Sequence, residues 1–172
     1  MMKNLNWTKG LLLVLLVSLN VACDQVSKNI ARENLEYHER TEYLDGFLIV
    51  VKVENTGAFL SLGSGFAPLV KKIILWGLPA VALVFMFFFV MKSTKLNKAS
   101  FIGLSFVIGG GIGNVYDRIQ YGSVTDFLLL DFGFAKTGIF NAADVSIMMG
   151  TGILLLFEVL KKKKPEIAKE LD

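Results

Sequence analysis

Residues 109–144 read GGGIGNVYDRIQYGSVTDFLLLDFGFAKTGIFNAAD and lie between two long apolar segments. The stretch contains four aspartates, two asparagines and an arginine. Carboxylates at the edge of a bilayer are costly unless they are hydrated, paired or functional. We therefore expect the functional site in this stretch, and we interpret the rest of the chain as the membrane frame that holds it.

The composition is that of a membrane protein. Of the 172 residues, 53% are hydrophobic and 14 are Phe, which is too apolar for an ordinary soluble domain. The net charge of +3 is small, and the basic residues cluster in particular loops, which indicates membrane orientation and not nucleic-acid binding. The single cysteine excludes an internal disulfide, and with one histidine the chain offers no zinc-binding cluster, so we expect no metal.

The apolar runs predict an α-helical membrane protein that forms a single domain over residues 1–172. We expect four transmembrane helices, at about 8–27, 70–91, 99–117 and 138–160, each close to the ~20 residues that a span needs. Pro79 predicts a kink in the second span. The first run, which ends at Cys23, also resembles a cleavable signal peptide. Because three further spans follow, we interpret it as a helix that is retained.

Between the first two spans, residues 40–66 predict a small extracytoplasmic β element. The β-branched run 49–53 follows the turn signal Asp45-Gly46, which is typical of one or two strands. Asn55-Thr56-Gly57 marks a tight turn after that run.

The distribution of Lys and Arg predicts the orientation of the spans. The N-terminus, the 92–98 loop and the C-terminal tail carry 10 basic residues, whereas the two opposite loops carry 8 that are offset by many acids. The positive-inside rule then places both termini in the cytoplasm. Asp24, Asn55, Asn114, Asp126 and Asp144 all fall on the outer side in this arrangement.

The residue types in the stretch favour acid–base chemistry. No serine or cysteine stands in a plausible nucleophile setting, whereas two neighbouring carboxylates can share a proton and activate a water molecule. Spacing alone does not choose the pair among Asp117, Asp126, Asp131 and Asp144. Asp117 is followed by Arg118, a ready cationic partner, and any one of the four can be structural or can cap a helix.

Five motifs appear in order along nearly the whole chain. They are Asp24–Lys28 (DQVSK), Asn55–Phe59 (NTGAF), Gly109–Arg118 (GGGIGNVYDR), Gly122–Phe127 (GSVTDF) and Phe140–Asp144 (FNAAD). With these motifs the chain resembles the lipoprotein signal peptidases (signal peptidase II), membrane aspartyl proteases of bacteria. Each motif alone is weak, but five in order at the edges of the spans are specific.

The resemblance implies that Asp126 and Asp144 are the catalytic pair. The supporting residues that it implies are Asp24, Lys28, Asn55, Gly57, Asn114, Arg118 and Asn141. It further implies an enzyme of the bacterial inner membrane, without cofactor or metal, that cleaves diacylglyceryl-modified prolipoproteins just before the lipidated cysteine. Globomycin-type inhibitors and membrane lipid are then its expected ligands, and we expect a monomer with its active site at the extracytoplasmic face.

The sequence departs from the family pattern at two places, and two other functions compete with this interpretation. Residues 131–140 lack the tryptophan that many relatives carry, and Val145 stands where a serine often follows the catalytic aspartate. A small transporter with a proton relay is one alternative, but it favours acids spread through the depth of the spans. A non-enzymatic assembly factor that uses the stretch as a docking surface is the other.

Overall fold

The computed structural model describes residues 7–58 and 62–170, and from residue 162 onward its backbone alone. Phe59, which ends one of the five motifs, lies outside the described residues. The helices are α1 (Trp7–Asn34), α2 (Pro68–Lys92), α3 (Lys98–Tyr121) and α4 (Ala142–Glu170). The strands are β1 (Arg40–Tyr43), β2 (Leu48–Asn55) and β3 (Val124–Leu130).

All four helices are long and apolar enough to cross a membrane, which confirms the predicted fold class. The mean hydropathy of the best window is lowest in α3, at 1.4, and highest in α2, at 2.6. The difference has a physical cause, since the apolar part of α3 also contains five glycines, two serines and Asn114. Large apolar side chains such as Phe85 and Leu155 point outward, as expected for helices that face lipid.

The helices differ from the predicted spans mainly at their ends. α1 continues to Asn34, seven residues beyond 27, and α3 continues to Tyr121, where Gly122 (φ 80°) ends it in the left-handed conformation. The predicted start of the fourth span at 138 is wrong, because Phe140 pairs with Leu128 of β3 in the sheet. α4 therefore begins only at Ala142.

The β element contains a strand that the sequence analysis missed. β1 and β2 lie within the predicted range 40–66, but the third strand, β3, comes from the loop between α3 and α4. The sheet has the order β1-β2-β3 with antiparallel pairs throughout. β3 begins with a fully buried run and lacks the alternation that reveals half-buried strands, so its pattern does not identify it.

The register of β2 against β3 brings a site residue onto the sheet. Asn55 pairs with Val124 and Val53 pairs with Asp126, with an irregularity in the register between Val50 and Val53. Residues directly opposite each other, and residues two apart on one strand, share a face of the sheet. Asn55 and Asp126 are therefore diagonal neighbours on one face.

The irregularity that Pro79 predicts lies one turn before it. Residues Lys72–Gly77 form a π-helical segment, in which the N–H of Leu78 donates to the carbonyl of Ile73. Single wide turns of this kind are a common way for a helix to absorb a local disruption. The segment turns Leu75 and Pro79 toward the polar end of α3, where both line the cavity described below.

α3 and α4 pack through glycine. A Cβ atom on Gly103 would lie 2.8 Å from the carbonyl oxygen of Gly150, and a Cβ on Gly150 would overlap the carbonyl oxygen of Gly103. Small residues at such crossings let membrane helices approach at backbone distance. This contact holds the start of α4, and with it Asp144, close to α3.

Gly150→Ala should therefore lower the free energy of unfolding by about 2 kcal/mol, because the two backbones must move apart to accommodate the methyl group. Gly152→Ala is the matched control on the same helix, since a Cβ there meets nothing within 4 Å. Thermal unfolding of the two purified variants in detergent, followed by circular dichroism, compares them. Equal melting temperatures would contradict the close-packing role of Gly150.

Candidate active site

Asp126 is buried and both of its carboxyl oxygens accept hydrogen bonds. Asn55 Nδ2 donates to Oδ2 at 2.9 Å and Asn141 Nδ2 donates to Oδ1 at 2.6 Å, while only 4% of the residue is exposed. Burial raises the pKa of Asp126 from 3.8 to about 6, because desolvation outweighs the two amide hydrogen bonds that favour the charged form. The nearby Asp144 raises this pKa further.

Asp144 begins α4 in a reciprocal cap with Asn141. Asn141 Oδ1 accepts from the N–H of Asp144 at 3.1 Å, and Asp144 Oδ2 accepts from the N–H of Asn141 at 3.2 Å. This is the arrangement of a capping box, with Asn at the cap and Asp three residues later. The other oxygen, Oδ1, accepts from Asn114 Nδ2 at 2.9 Å. The capping role considered for Asp144 is thus confirmed, and the same contacts fix the direction of its carboxylate.

Both carboxylates face one cavity of about 380 Å³. Its polar wall consists of Asn55, Asn114, Arg118, Asp126, Asn141 and Asp144. Its apolar wall includes Ile74, Leu75, Pro79, Val115 and Ile147. Asn141 links the two acids, because its side-chain amide donates to Asp126 while its backbone N–H donates to Asp144. The structure therefore brings Asp126 and Asp144 together beside an open, partly apolar space.

Arg118 closes one side of this cavity. Its Nη2 donates to the carbonyl oxygen of Gly57 at 2.8 Å and its Nη1 donates to the carbonyl oxygen of Asn114 at 3.2 Å. The N–H of Gly57 in turn donates to Asn55 Oδ1 at 3.0 Å. Within the part of the chain that the structure describes, the buried Nε of Arg118 has no hydrogen-bond partner. A guanidinium with an unused donor thus lines the cavity beside the two acids.

Asp117 does not pair with Arg118, the cationic partner that the sequence suggested, so that expectation was wrong. Asp117 pairs with Lys28 at 3.0 Å and with Arg32 at 3.1 Å, both on α1, and not with the adjacent Arg118. Consecutive residues on a helix do not share a face, so Asp117 and Arg118 point to different neighbours. Asp131 lies apart from the site, in an exposed turn where it pairs with Lys136 at 2.7 Å.

Lys28 lies beneath the cavity with no exposed side-chain surface. Its ammonium donates to Asp24 Oδ2 at 2.9 Å and to Asn114 Oδ1 at 2.8 Å, and it pairs with Asp117 Oδ2 at 3.0 Å. The ammonium thus donates two hydrogen bonds and lies against two carboxylates, whose negative charge compensates its burial. Because the oxygen of Asn114 faces Lys28, its amide nitrogen faces Asp144.

Asp24 connects this ion cluster to α4. Its Oδ1 accepts from the N–H of Ala143 at 2.9 Å, in the first turn of the helix, where an anion is favourable. Gln25 bridges Asp24 and Asp117 at 3.0 and 2.9 Å. A Cβ on Gly113 would overlap the Asp24 carboxylate, so a glycine is needed there. Every supporting residue predicted from the sequence lies in this connected network.

A second polar cluster lies behind β3, and none of the five motifs predicted it. Glu54 accepts from the hydroxyl groups of Ser123 and Thr125, the latter at 2.8 Å, and Arg32 Nε donates to Thr125 Oγ1 at 2.9 Å. The side chains of Ser123 and Thr125 lie on the side of the sheet opposite to the side chain of Asp126. Because β3 lacks a regular alternation of polar and apolar residues, its sequence pattern gave no signal for this cluster.

Comparison with known proteins places the chain among membrane peptidases. The family model described as signal peptidase (SPase) II matches residues 16–160. The chain belongs to the signal peptidase II family. It is 33% identical to the lipoprotein signal peptidase of Enterococcus faecalis over 163 residues, which is 94% of this chain and 97% of that protein. The lipoprotein signal peptidase of Solibacter usitatus is also 33% identical, over 86% of this chain and 89% of its own length.

Solved structures agree with this assignment. A bacterial membrane enzyme determined in meso at 2.3 Å resolution superposes with a TM-score of 0.76 at 27% identity, over 88% of each chain. A second, at 1.9 Å resolution, gives 0.71 at 25% identity over 84% of this chain and 90% of that one. Membership of the family makes this chain a protease, and its four apolar helices fit a bacterial multi-pass membrane protein. The family assignment favours the peptidase over the transporter and docking alternatives.

Replacing Lys28 should unfold the base of the site. Lys28→Met leaves Asp24 and Asp117 buried with too little compensating charge, and we expect a loss of about 3–5 kcal/mol in the free energy of unfolding. Lys95→Met, in an exposed loop, is the control. Melting temperatures in detergent at neutral pH measure both. A Lys28→Met variant as stable as the control would disprove the central role of this ion cluster.

The pKa of Asp126 predicts a pH dependence of stability. The folded protein keeps a proton on Asp126 up to about pH 6, whereas an unfolded aspartate loses it near 3.8. The resulting stabilisation is complete below 3.8 and is lost as the pH rises through about 6, a change of up to about 3 kcal/mol. Asp126→Asn lacks this group.

The melting temperature of the wild type should consequently fall relative to that of Asp126→Asn between about pH 4 and about pH 7. Asp131→Asn, at the exposed turn, supplies the control and should follow the wild type over this range. A difference between wild type and Asp126→Asn that stays constant with pH would show that burial does not raise the pKa of Asp126.

Proposed function

We propose that this protein is an aspartic endopeptidase in which Asp126 and Asp144 activate a water molecule against a peptide bond. The observation that carries the proposal is that both carboxylates line one cavity and share Asn141 as a hydrogen-bond partner. Coupled acids of this kind act as one unit that holds a single proton. The arrangement needs neither a covalent intermediate nor a metal.

The surroundings of the two acids support a division of roles. Asp126, with a pKa of about 6, holds the shared proton and delivers it to the carbonyl oxygen of the scissile bond. Asp144 accepts a proton from water as the water oxygen bonds to the carbonyl carbon. When the tetrahedral diol collapses, the carbon–nitrogen bond breaks and the departing nitrogen receives a proton from the pair. The positive charge of Arg118 stabilises the oxygen on which negative charge develops.

The remaining residues hold this geometry. Asn55 and Asn141 orient Asp126, and Asn114 orients Asp144. Lys28 in turn orients Asn114. Gly57 accepts from Arg118 through its backbone carbonyl group. A residue that acts through another residue in this way is a positioning residue. Asp24 has the same status, because it fixes the start of α4.

We infer further that the substrates are prolipoproteins that carry a diacylglyceryl group, cut just before the lipidated cysteine. Acyl chains leave a bilayer at a cost of about 0.8 kcal/mol per methylene, so the protease must meet them at the membrane surface. The apolar wall of the cavity, with Leu75 and Ile147, suits a substrate that arrives from lipid. A globomycin-type inhibitor would occupy the same cavity.

The membrane arrangement that we propose follows from the charges in the loops. With the basic segments in the cytoplasm, both termini lie inside and the cavity opens at the extracytoplasmic face of the bacterial inner membrane. One chain contains the whole network of the site, which is consistent with a monomer. The proposal includes no cofactor.

Asp126→Asn and Asp144→Asn should each reduce cleavage of a lipidated prolipoprotein by at least roughly a hundredfold, since each removes one half of the acid–base pair. Asp131→Asn is the matched control, because this third aspartate lies in the exposed turn away from the cavity. Gel-shift assays with the purified variants in detergent measure the cleavage.

Melting temperatures of the same preparations establish that the variants are folded. Cleavage at the wild-type rate by either Asp126→Asn or Asp144→Asn would refute the assignment of the pair. Loss of cleavage in Asp131→Asn as well would show that the effect is not specific to the cavity.

A further inference from the structure

A second, larger cavity lies beside the first. It has a volume of about 750 Å³ and occupies the space between the end of β3 and the first two turns of α4. Leu130, Phe140, Met148 and Met149 form part of its largely apolar wall, and Lys136 and Thr137 lie at its edge. We call it the β3–α4 groove.

The β3–α4 groove adjoins the cavity that Asp126 and Asp144 line, which we call the catalytic cavity. Asp144 and Ile147 line both spaces. The turn that carries Lys136 also exposes 92% of Phe134, an apolar ring that lipid can cover. In the membrane arrangement proposed above, this edge of the groove lies at the headgroup level, and its apolar wall continues along α4.

A third apolar space lies on another side of the catalytic cavity. This α2–α3 groove has a volume of about 350 Å³ and shares Val115 with the catalytic cavity. On α2 its wall includes Ala80, Val84 and Phe88, which are four residues apart and therefore share one face of the helix. A groove between two long helices, lined at helical spacing, suits an apolar helix as its occupant.

The substrate class proposed above has two apolar arms, and the inference rests on that proposed function. The signal helix precedes the scissile bond, and the acyl chains are attached to the cysteine that follows it. We propose that the β3–α4 groove receives an acyl chain of the diacylglyceryl group, while the α2–α3 groove receives the signal helix. The ammonium of Lys136 and the hydroxyl of Thr137 can donate to the ester carbonyl groups at the start of the chain.

The groove orients the acyl chain and contributes little binding energy. A bilayer and an apolar groove are equally favourable surroundings for an acyl chain, so entry into the groove has little hydrophobic driving force. A chain seated against Met148 and Met149 leaves the cysteine in one direction only. That direction sets where the scissile carbonyl lies relative to Asp144, and misplacement by about 1 Å costs up to a hundredfold in rate.

Filling the groove tests the inference. Met149→Trp adds bulk at a side chain that is 52% exposed, and Val84→Trp adds the same bulk in the α2–α3 groove at a side chain that is 55% exposed. Two synthetic prolipoproteins serve as substrates in phospholipid vesicles, one with a dipalmitoylglyceryl group and one with a diacetylglyceryl group. The acetyl groups are too short to enter the groove, whereas the palmitoyl chains must enter or be displaced.

We expect Met149→Trp to lower kcat/KM for the dipalmitoyl substrate by at least roughly tenfold and to leave the diacetyl substrate within about twofold of wild type. Val84→Trp should affect both substrates equally, because both carry the same signal helix. Met148→Trp repeats the test if the melting temperature shows that Met149→Trp does not fold.

Three results would overturn the inference. Equal effects of Met149→Trp on the two substrates would mean that the tryptophan disturbs the site and not an acyl chain, and no effect on either would mean that no acyl chain enters the groove. A selective loss with the dipalmitoyl substrate in Val84→Trp would place the acyl chains in the α2–α3 groove. A wild-type protein that cleaves neither substrate would reject the proposed function, and the inference with it, which distinguishes that failure from the first two.

Discussion

The buried ammonium of Lys28 is the contact on which the site depends. It donates hydrogen bonds to Asp24 and Asn114 and forms an ion pair with Asp117. A charge in this position is stable only if all its partners stay in place, so the cluster ties α1 to α3 through Asn114 and Asp117. Asp24 then extends the connection to the first turn of α4. Three helices are thereby fixed at the level where the two acids lie.

The two acids reach the cavity by different local rules. Asp144 is placed by the way a helix begins, because its carboxylate completes the cap with Asn141 and also accepts from Asn114. Asp126 is placed by strand pairing, which sets it diagonally across from Asn55. Asn141 belongs to both arrangements. The contacts that end the sheet and begin the helix are thus the contacts that orient the acids, and the structural role of each acid accompanies the proposed catalytic one.

The membrane explains the shape of the space around the acids. Water must reach the carboxylates, while the proposed substrate remains anchored in lipid by a helix and by acyl chains. The cavity beside the two acids has a polar wall that includes Asn55 and Asp126 of the sheet and an apolar wall toward α2, and apolar grooves adjoin it on two sides. Such a site serves a reaction at the bilayer surface better than a closed, fully polar cleft would. The buried, desolvated setting is also what raises the pKa of Asp126.

The sequence by itself determined the number of spans, the range that contains the first two strands and, through the family resemblance, the set of residues that meet at the site. Long apolar runs and the clustering of polar residues at their ends are local signals, and the five motifs supplied the family. It did not determine that Asp126 lies on a third strand, that α4 begins only at Ala142, or that Asp117 pairs with α1. Those features depend on contacts between distant positions, such as Asn55 with Asp126, 71 residues apart, and Ala143 with Asp24, 119 residues apart. Hydrogen-bond partners and strand register are chosen when the helices pack, and only the tertiary structure records that choice.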